Sequence, residues 1–239
     1  MKKLFFFIGA SLFMSAAFFA AVRVSSPAIP VGQAPARRTI GHTVILDAGH
    51  GGEDGGAVAF DGTEEKTVNL RIANDVSDFF VLFGVPFVQT RDRDTDLADR
   101  TLQTIRERKR SDILARYEMV NSAKNGLLLS IHQNMFEIEK YSGAQIFYSA
   151  NDEQSLRLAT ILRKVIISHL QPENSREVKP SGDSIFLLYR AKRPSVLVEC
   201  GFLSNRKELE LLKMPGYDAA FGYYITKGML QYFYQQGNV

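Results

Sequence analysis

The sequence predicts one α/β domain with a mainly parallel, twisted sheet flanked by helices. Two observations lead to this prediction. Short apolar runs typical of buried strands alternate with segments of helical periodicity over most of the chain. Polar residues capable of chemistry follow several of these runs, as they do at the carboxyl edge of an open parallel sheet, where ligands bind.

The first elements of this alternation are well marked. Residues 43–46 (TVIL) form an apolar run that predicts the first strand. Apolar residues then recur at helical spacing over residues 65–83, and this helix is expected to stop at Gly84 and Pro86. The sequence PFVQT at residues 86–90 predicts a second strand, which completes a strand–helix–strand unit.

The rest of the domain continues the same alternation. The predicted elements are, in chain order, a helix at 111–123 (SDILARYEMVNSA), a strand at 127–132 (LLLSIH), a strand at 144–148 (AQIFY), a helix marked by apolar residues from 158 to 169, a strand at 195–200 (SVLVEC) and a closing, aromatic-rich helix at 218–235. The apolar character of LLLSIH and SVLVEC is that of strands buried on both faces. Strands of this kind predict a sheet covered by helices on both sides.

The N-terminus carries the pattern of an export signal. Lys2 and Lys3 precede about nineteen residues without charge, which is typical of a signal peptide or a signal anchor over residues 1–22. This stretch exceeds the roughly 7–15 residues of a usual cleaved signal and approaches the roughly 17–25 of a membrane span, so both alternatives stay open. Three prolines make residues 23–40 a tether, and the folded domain is expected over 41–239.

The composition limits the classes to which this domain can belong. Cys200 is the only cysteine, so the chain cannot form an internal disulfide and must draw its stability from its core. Lys2 and Lys3 supply two of the three net positive charges, and the nearly neutral remainder gives no argument for binding nucleic acid. The length after the tether suits one sizeable domain better than two.

A glycine-rich segment, ILDAGHGGEDGG at residues 45–56, overlaps the end of the first strand. A dinucleotide-binding fingerprint read from Gly49 would need a third glycine where Asp54 stands, and a P-loop would need a lysine directly after the glycines. Both phosphate-binding alternatives are therefore rejected. The glycines instead let the chain bend sharply and present His50, either as a metal ligand or as a surface histidine on a flexible turn.

Four polar residues are expected at one edge of the sheet and define a candidate catalytic site. His50 lies just past the first strand, His132 ends LLLSIH, and Glu199 nearly ends SVLVEC. Glu65 begins the helix after the glycine-rich segment and so returns to the same edge. Two imidazoles and a carboxylate are a common ligand set for catalytic zinc, which keeps its fourth position for water.

Each of these residues also has a structural interpretation. His132 could be a hydrogen-bonded core histidine, and Glu65 could be a first-turn acid that complements the helix dipole. Glu199 follows Val-Leu-Val, where a buried carboxylate is costly unless it is paired or functional. His42 precedes the first strand and His169 lies on a helix, so both are assigned structural roles.

Two charged segments follow the second strand. The alternating aspartates of residues 92–96 mimic the start of a calcium loop, yet Leu97 stands where glycine is needed and Gln103 where the bidentate glutamate belongs. An EF-hand is therefore rejected. The basic run at residues 106–110 could contact an anionic wall polymer, but a solvated helix face is the favoured interpretation.

Four motifs, in this order and spacing, carry a family resemblance: LDAGHGGEDGGA, GTEEKTVNL, LLLSIHQN and VLVECGFLSN. Together they resemble the zinc-dependent N-acetylmuramoyl-L-alanine amidases of the amidase-3 family, bacterial enzymes that cut the amide between muramic acid and the stem peptide of peptidoglycan. The resemblance runs from about Thr43 to the closing helix, which is essentially the entire exported domain. The substrate it implies is peptidoglycan, as a muramyl peptide.

The resemblance also implies a ligand set for Zn²⁺. The positions that match the family's metal ligands are His50, Glu65 and His132. Adjacent Glu64 creates an ambiguity of one position. Glu65 is preferred because the family's ligand directly precedes the lysine that is matched here by Lys66.

Glu199 matches the family's catalytic carboxylate. The chemistry implied is hydrolysis in which Glu199 takes a proton from water and delivers it to the leaving alanine nitrogen. Two alternatives stay open. One is a peptidoglycan-binding module that is non-catalytic or activated by a protein partner, and the other is a zinc carboxypeptidase on stem peptides, which should recognise a terminal carboxylate.

A narrower resemblance concerns biological role. The stretch RDRDTDLADRTLQTIRERKRSDILAR is similar to the germination-specific amidases of spore formers, which make the muramic lactam of spore cortex by removing stem peptides. Gln133-Asn134 departs from many relatives, and this difference bears on substrate detail rather than on the chemistry. The implied location is the cell wall or the spore intermembrane space, with membrane contact only through residues 1–22.

Overall fold

The computed structural model of the protein describes residues 40–237. The predicted export segment (1–22) and the predicted tether, apart from Ile40, lie outside the described residues. Within the described range, none of the helices combines the length and the hydropathy that a membrane span requires.

The described residues contain six strands, and these form one sheet. The strands are β1 (Thr43–Ala48), β2 (Phe87–Gln89), β3 (Gly126–Asn134), β4 (Gln145–Tyr148), β5 (Lys179–Pro180) and β6 (Ser195–Phe202). Their order across the sheet is β2-β1-β3-β6-β4-β5. Strands β2, β1, β3 and β6 lie side by side and are mutually parallel, whereas β4 runs antiparallel to β6. The predicted α/β fold with a mainly parallel sheet is confirmed.

Six helices connect and cover these strands within residues 40–237. They are α1 (Glu65–Phe83), α2 (Ile105–Ser122), α3 (Glu153–His169), α4 (Phe186–Arg190), α5 (Arg206–Leu212) and α6 (Pro215–Gln235). Helix α1 has the predicted bounds. It ends at Gly84, whose left-handed φ of 68° lets its N–H bond back to the last turn of the helix, as its position in the sequence indicates.

The two faces of the sheet have separate cores. Leu127 and Leu129 of β3 pack with helices α1, α3 and α6, while Leu128 of β3 and Leu197 of β6 pack with α2 and α4. Side chains alternate between the faces along each strand, so every second residue points to the same side. His132 and Glu199 therefore share the α2/α4 side with Leu128 and Leu197, and they lie opposite each other in the β3–β6 register.

Helix α2 begins earlier than the sequence predicts, at Ile105 instead of residue 111. A capping box starts it, because the Thr104 hydroxyl accepts a bond from the Glu107 N–H and the Glu107 carboxylate accepts one from the Thr104 N–H. The first turns are polar and exposed, so apolar spacing gives no signal there. Elements β5, α4 and α5 are also absent from the prediction, since they are too short to show a period.

Candidate metal centre and catalytic cavity

Three side chains converge at the carboxyl edge of the sheet. His50 follows β1, Glu65 begins α1 and His132 lies near the end of β3, and each offers one ligand atom within 4.8 Å of the other two. Glu65 Oε2 lies 3.2 Å from His50 Nε2, and Glu65 Oε1 lies 2.9 Å from His132 Nδ1. Two nitrogens and one oxygen at this spacing form a ligand set that can hold a divalent metal ion with a position left for water.

Glu65 is buried and accepts several hydrogen bonds besides its contacts with the two histidines. Its Oε2 accepts the N–H of Ala57 at 3.0 Å, and its Oε1 accepts the N–H of Gln133 at 3.1 Å and the amide of Asn69 at 3.2 Å. Burial by itself raises the pKa of Glu65, but the two histidines outweigh it and hold the pKa well below its usual range. The carboxylate therefore stays ionised, as a metal ligand must be.

The neighbouring carboxylate, Glu64, does not share this position. Its Oε2 lies 3.4 Å from Nζ of Lys66, and 44% of its side chain is exposed, against 6% for Glu65. Of the two adjacent glutamates, Glu65 is the one that faces the imidazoles. This geometry supports the choice that the position of Lys66 indicates in the sequence.

Two glycines leave room for the imidazole rings. A Cβ on Gly49 would lie 2.2 Å from Nε2 of His132, and a Cβ on Gly56 would lie 2.7 Å from both His50 Cδ2 and Glu65 Oε2. Neither approach is sterically allowed. His50 itself has a φ of 62°, which is uncommon for a residue other than glycine, so the backbone is sharply bent where this side chain is presented.

A second carboxylate orients His50. Nδ1 of His50 lies 2.7 Å from Asp54 Oδ2, while Nε2 faces Glu65. Burial lowers the pKa of His50, but hydrogen bonds to Asp54 and Glu65 outweigh it and raise the pKa to about 10. A carboxylate on the far nitrogen of a metal-binding imidazole fixes the ring orientation and increases its basicity. Asp54 is held in turn by Nζ of Lys109, at 2.7 Å.

Two buried arginines hold the backbone that leads to His50. Arg116 on α2 donates to the carbonyl of His50 at 2.8 Å and to that of Ala48 at 2.9 Å. Arg91 donates to the carbonyls of Ala48 and Gly49, both at 2.9 Å. Three successive carbonyls are thus satisfied by guanidinium groups, which keeps this buried, irregular backbone in place.

Asp47 supplies the negative charge for this arrangement. It is 1% exposed, pairs with Arg116 at 2.5 Å and accepts hydrogen bonds from the hydroxyls of Thr90 and Ser130. Burial raises the pKa of Asp47, but Arg116, His132 and Ser130 outweigh it and hold the pKa at about 2. The ion pair therefore persists over the whole physiological range of pH.

Glu199 lies beside the three converging side chains and does not belong to their cluster. Its Oε2 is buried and has no hydrogen-bond partner among residues 40–237. Burial is the main effect that raises the pKa of Glu199 to about 7; Glu65 adds to it, while His132 and His50 oppose it. A buried carboxylate oxygen without a partner is costly, and this one suits a nearby cation and a group that exchanges protons with a substrate.

His50, His132 and Glu199 line a cavity of about 260 Å³ on the α2/α4 side of the sheet. His50, His132 and Glu199 form its polar end, and Ile185 and Phe186 form part of an apolar wall. A cavity with an apolar wall and a few converging polar groups is the usual form of a small-molecule site.

The residues assigned to structural roles lie outside this cluster. Asp94 accepts the N–H of Gly52 at 2.9 Å and binds Nζ of Lys66 at 2.9 Å, so it braces the glycine-rich segment. Nδ1 of His42 lies 3.2 Å from a backbone carbonyl oxygen, and Nδ1 of His169 lies 2.9 Å from another.

Sequence reasoning missed Asp47, Asp54, Arg91 and Arg116. One signal was available for the buried pair. Asp47 ends an apolar strand, and Arg116 is four residues before Val120 on the apolar side of its helix, so two opposite charges stand at buried positions. The residues that Asp47 and Arg116 contact depend on how α2 packs against the sheet.

Comparison with known proteins gives a family match over most of the chain. The amidase-3 family, described as N-acetylmuramoyl-L-alanine amidase, matches residues 44–231. The germination-specific N-acetylmuramoyl-L-alanine amidase of Bacillus subtilis (strain 168) is 35% identical over 198 residues, which cover 83% of this chain and 82% of that protein.

Solved structures show the same fold. The CwlD amidase from Clostridioides difficile, determined in complex with the GerS lipoprotein, is 37% identical with a TM-score of 0.77, and the match covers 81% of this chain and 98% of that one. The N-acetylmuramoyl-L-alanine amidase AmiC2 of Nostoc punctiforme is 26% identical with a TM-score of 0.67, covering 81% and 97% of the two chains.

Proposed function

The chain belongs to the amidase-3 family of N-acetylmuramoyl-L-alanine amidases, enzymes that act on peptidoglycan, and from this premise we propose how its own site performs the hydrolysis. We propose that His50, Glu65 and His132 hold a zinc ion and that Glu199 is the catalytic acid and base. The bond cut is the amide between N-acetylmuramic acid and L-alanine of the stem peptide.

One observation carries this proposal. The ligand atoms of two histidines and one ionised glutamate lie within 4.8 Å of one another, and Glu199, whose buried Oε2 has no partner among residues 40–237, lines the cavity beside the histidines. The donor set of two imidazole nitrogens and one carboxylate oxygen is typical of catalytic zinc. A cation would also offset the cost of burying Glu199.

Individual residues of the chain have separate roles in the proposed hydrolysis. A zinc ion at this position would polarise the amide carbonyl and lower the pKa of a water molecule. Glu199 accepts the proton of the attacking water and delivers it to the alanine nitrogen as the carbon–nitrogen bond of the amide breaks. Asp54 keeps His50 in orientation, and Phe186 forms part of the cavity wall.

Product analysis tests the reaction. Purified peptidoglycan treated with the zinc-loaded protein should yield stem peptides with a free alanine amine, while the glycan strand stays intact. A release of the terminal amino acid of the stem would instead identify a carboxypeptidase. Binding to peptidoglycan without any released peptide would identify a binding module and overturn the proposal.

We also propose a role in spore cortex. The support is the 35% identity to an amidase named germination-specific and the likeness to the CwlD structure. This role requires export, to the cell wall or to the space between the spore membranes. Deleting the gene from its host should remove muramic lactam from the cortex and delay germination. Spores with a normal lactam content would assign the enzyme to vegetative wall turnover instead.

A protein partner is the last part of the proposal, because the CwlD amidase was determined in complex with the GerS lipoprotein. We infer that a partner increases the activity of this chain as well. Turnover of the purified chain should then be low and should rise when the host's corresponding lipoprotein is added. Full turnover by the isolated chain, unchanged by that addition, would remove the partner from the proposal.

A further inference from the structure

A second, basic groove adjoins the catalytic cavity. Next to the 260 Å³ cavity lies another of about 430 Å³, and Ile113 of α2 and Phe186 of α4 line both. The second cavity is completed by Leu114 and by basic residues of α2, among them Arg106 and Arg110. The two cavities therefore adjoin at Ile113 and Phe186, and the second one extends along α2.

The charges in this groove are available for a ligand. Along the basic run of α2, Arg108 pairs with Glu53 and Lys109 pairs with Asp54. Arg106 and Arg110 are exposed, and within residues 40–237 neither is in an ion pair with an acidic group. Two free guanidinium groups beside an apolar surface suit a ligand that combines carboxylates with apolar parts.

Apolar surface lies between these charges and the catalytic cavity. Ile113 is 39% exposed and Leu114 is 41% exposed, and Phe186 is partly buried at the junction. A peptide lying along these side chains would bury them while its acidic groups reach the arginines. Exposed large apolar residues that line a groove are typical of a ligand-binding surface.

The position of Glu199 decides which half of the substrate enters this groove. To protonate the alanine nitrogen, Glu199 must lie on the side from which the peptide leaves. Glu199 and Phe186 line the same cavity, and Phe186 also lines the basic groove. A peptide half that leaves from the Glu199 side past Phe186 would lie along α2. This half carries at least a terminal carboxylate, together with any acidic side chain.

We propose that the stem-peptide half of the substrate binds, through the carboxylates of the peptide, in the groove formed by Arg106, Arg110, Ile113, Leu114 and Phe186. This inference rests on the proposed amidase function and names the part of the substrate that the enzyme selects. Acidic stem peptides should be favoured over peptides whose carboxylates are amidated.

The test compares two double variants with the parent protein. Arg106→Gln/Arg110→Gln removes the two free charges of the groove, and Arg157→Gln/Lys164→Gln removes two exposed charges from α3, on the opposite face of the sheet. Thermal unfolding of all three proteins should agree, since every changed residue is exposed. KM and kcat are measured on muramyl peptides with free and with amidated carboxylates, and binding of the free acidic peptide is measured by calorimetry.

The groove variant should show a roughly tenfold rise in KM for the free-carboxylate substrate, with kcat nearly unchanged, because two charge-assisted contacts are lost. Its KM for the amidated substrate should match that of the parent, and its peptide affinity should fall by a similar factor. The α3 variant should behave as the parent does on both substrates. Inorganic polyphosphate should compete weakly in all three proteins.

Other outcomes would overturn the inference. One is an equal KM for the groove variant and the parent, and another is an equal rise in KM on the free and the amidated substrates. A third is an equal rise in KM in the α3 variant. The last is binding of polyphosphate, in place of peptide, that depends on Arg106 and Arg110. Failure of the amidase proposal is a separate result, in which the parent releases no alanine amine. The calorimetric comparison of parent and groove variant still decides the inference in that case.

Discussion

At the scale of single residues, Glu199 is the group whose surroundings are hardest to explain by folding alone. Its buried oxygen has no partner in the described part of the chain, and burial raises its pKa to about 7. Glu65, only a short distance away, keeps its pKa low because two imidazoles face it. Two neighbouring carboxylates whose pKa values are driven apart fit the proposed roles of metal ligand for Glu65 and proton carrier for Glu199.

Glu199→Gln should therefore separate metal binding from turnover. Glutamine keeps the shape of the side chain but cannot take a proton, so we expect full zinc content and a fall in turnover of about 10²- to 10⁴-fold. Zinc content and released stem peptide are measured on the same preparation. Near-normal turnover with full zinc would remove the catalytic role, and loss of zinc would make Glu199 a ligand.

The adjacent glutamates provide a matched pair of variants. Glu65→Gln should lose most zinc and activity, since it removes one of three ligands, whereas Glu64→Gln should leave both nearly intact because Glu64 contacts Lys66. Metal analysis of both dialysed variants makes the comparison. The reverse pattern would move the ligand by one residue.

At the scale of elements, the glycine-rich segment and its supports determine where His50 stands. Gly49→Ala places a methyl group where the His132 ring lies, 2.2 Å from Nε2. Zinc affinity should fall at least about tenfold, and the free energy of unfolding should fall by about 1–3 kcal/mol. Zinc titration and denaturant unfolding measure the two effects. Gly182→Ala, which meets no atom within 4 Å, is the control, and an equal loss in both variants would contradict the steric argument.

The ion pair between β1 and α2 should show its contribution as a dependence on pH. The pKa of Asp47 is lowered from 3.8 to about 2 in the folded protein, so the stabilisation is present above about pH 4 and is lost as the pH falls through about 2. Asp47→Asn removes one of the two carboxylates that pair with the buried Arg116 and leaves Asp112, so it should cost about 1–3 kcal/mol near neutral pH.

The difference in the free energy of unfolding between the parent and Asp47→Asn should become smaller as the pH falls. Unfolding by denaturant at a series of pH values from 7 to about 2.5 measures it, with metal-free protein throughout so that zinc release does not contribute. A difference that stays constant between pH 5 and 2.5 would show that folding does not lower the pKa of Asp47.

At the scale of the whole molecule, the proposed metal centre joins segments that are distant in the chain. The ligand atoms come from the segment after β1, from the start of α1 and from the end of β3. A ligand that binds only the folded state stabilises it by mass action, by about 4 kcal/mol at a thousandfold excess over Kd. For a domain of this size, zinc removal should lower Tm by roughly 10 °C.

Thermal unfolding with chelator, and again after zinc is restored, measures this shift. Glu65→Gln is the matched control and should unfold at the same temperature in both conditions. An identical Tm for the parent with and without zinc would contradict a zinc site built from these three segments.

The sequence by itself determined the fold class, the bounds of α1 and the family, because periodicity and motif order are local properties of a chain. It also selected His50, Glu65, His132 and Glu199 for the site, from the rule that ligands bind where parallel strands end. The early start of α2 escaped this reasoning, since the polar first turns of that helix have no apolar period.

Only the tertiary structure decided the contacts between side chains from different elements. In the folded protein Glu65 faces the imidazoles and Glu64 lies beside Lys66. Arg116 contacts Asp47. The groove between Arg106 and Phe186 likewise arises where α2 packs beside α4. These contacts depend on the direction of each side chain and on the packing of one element against another, and neither is a property of any local stretch of sequence.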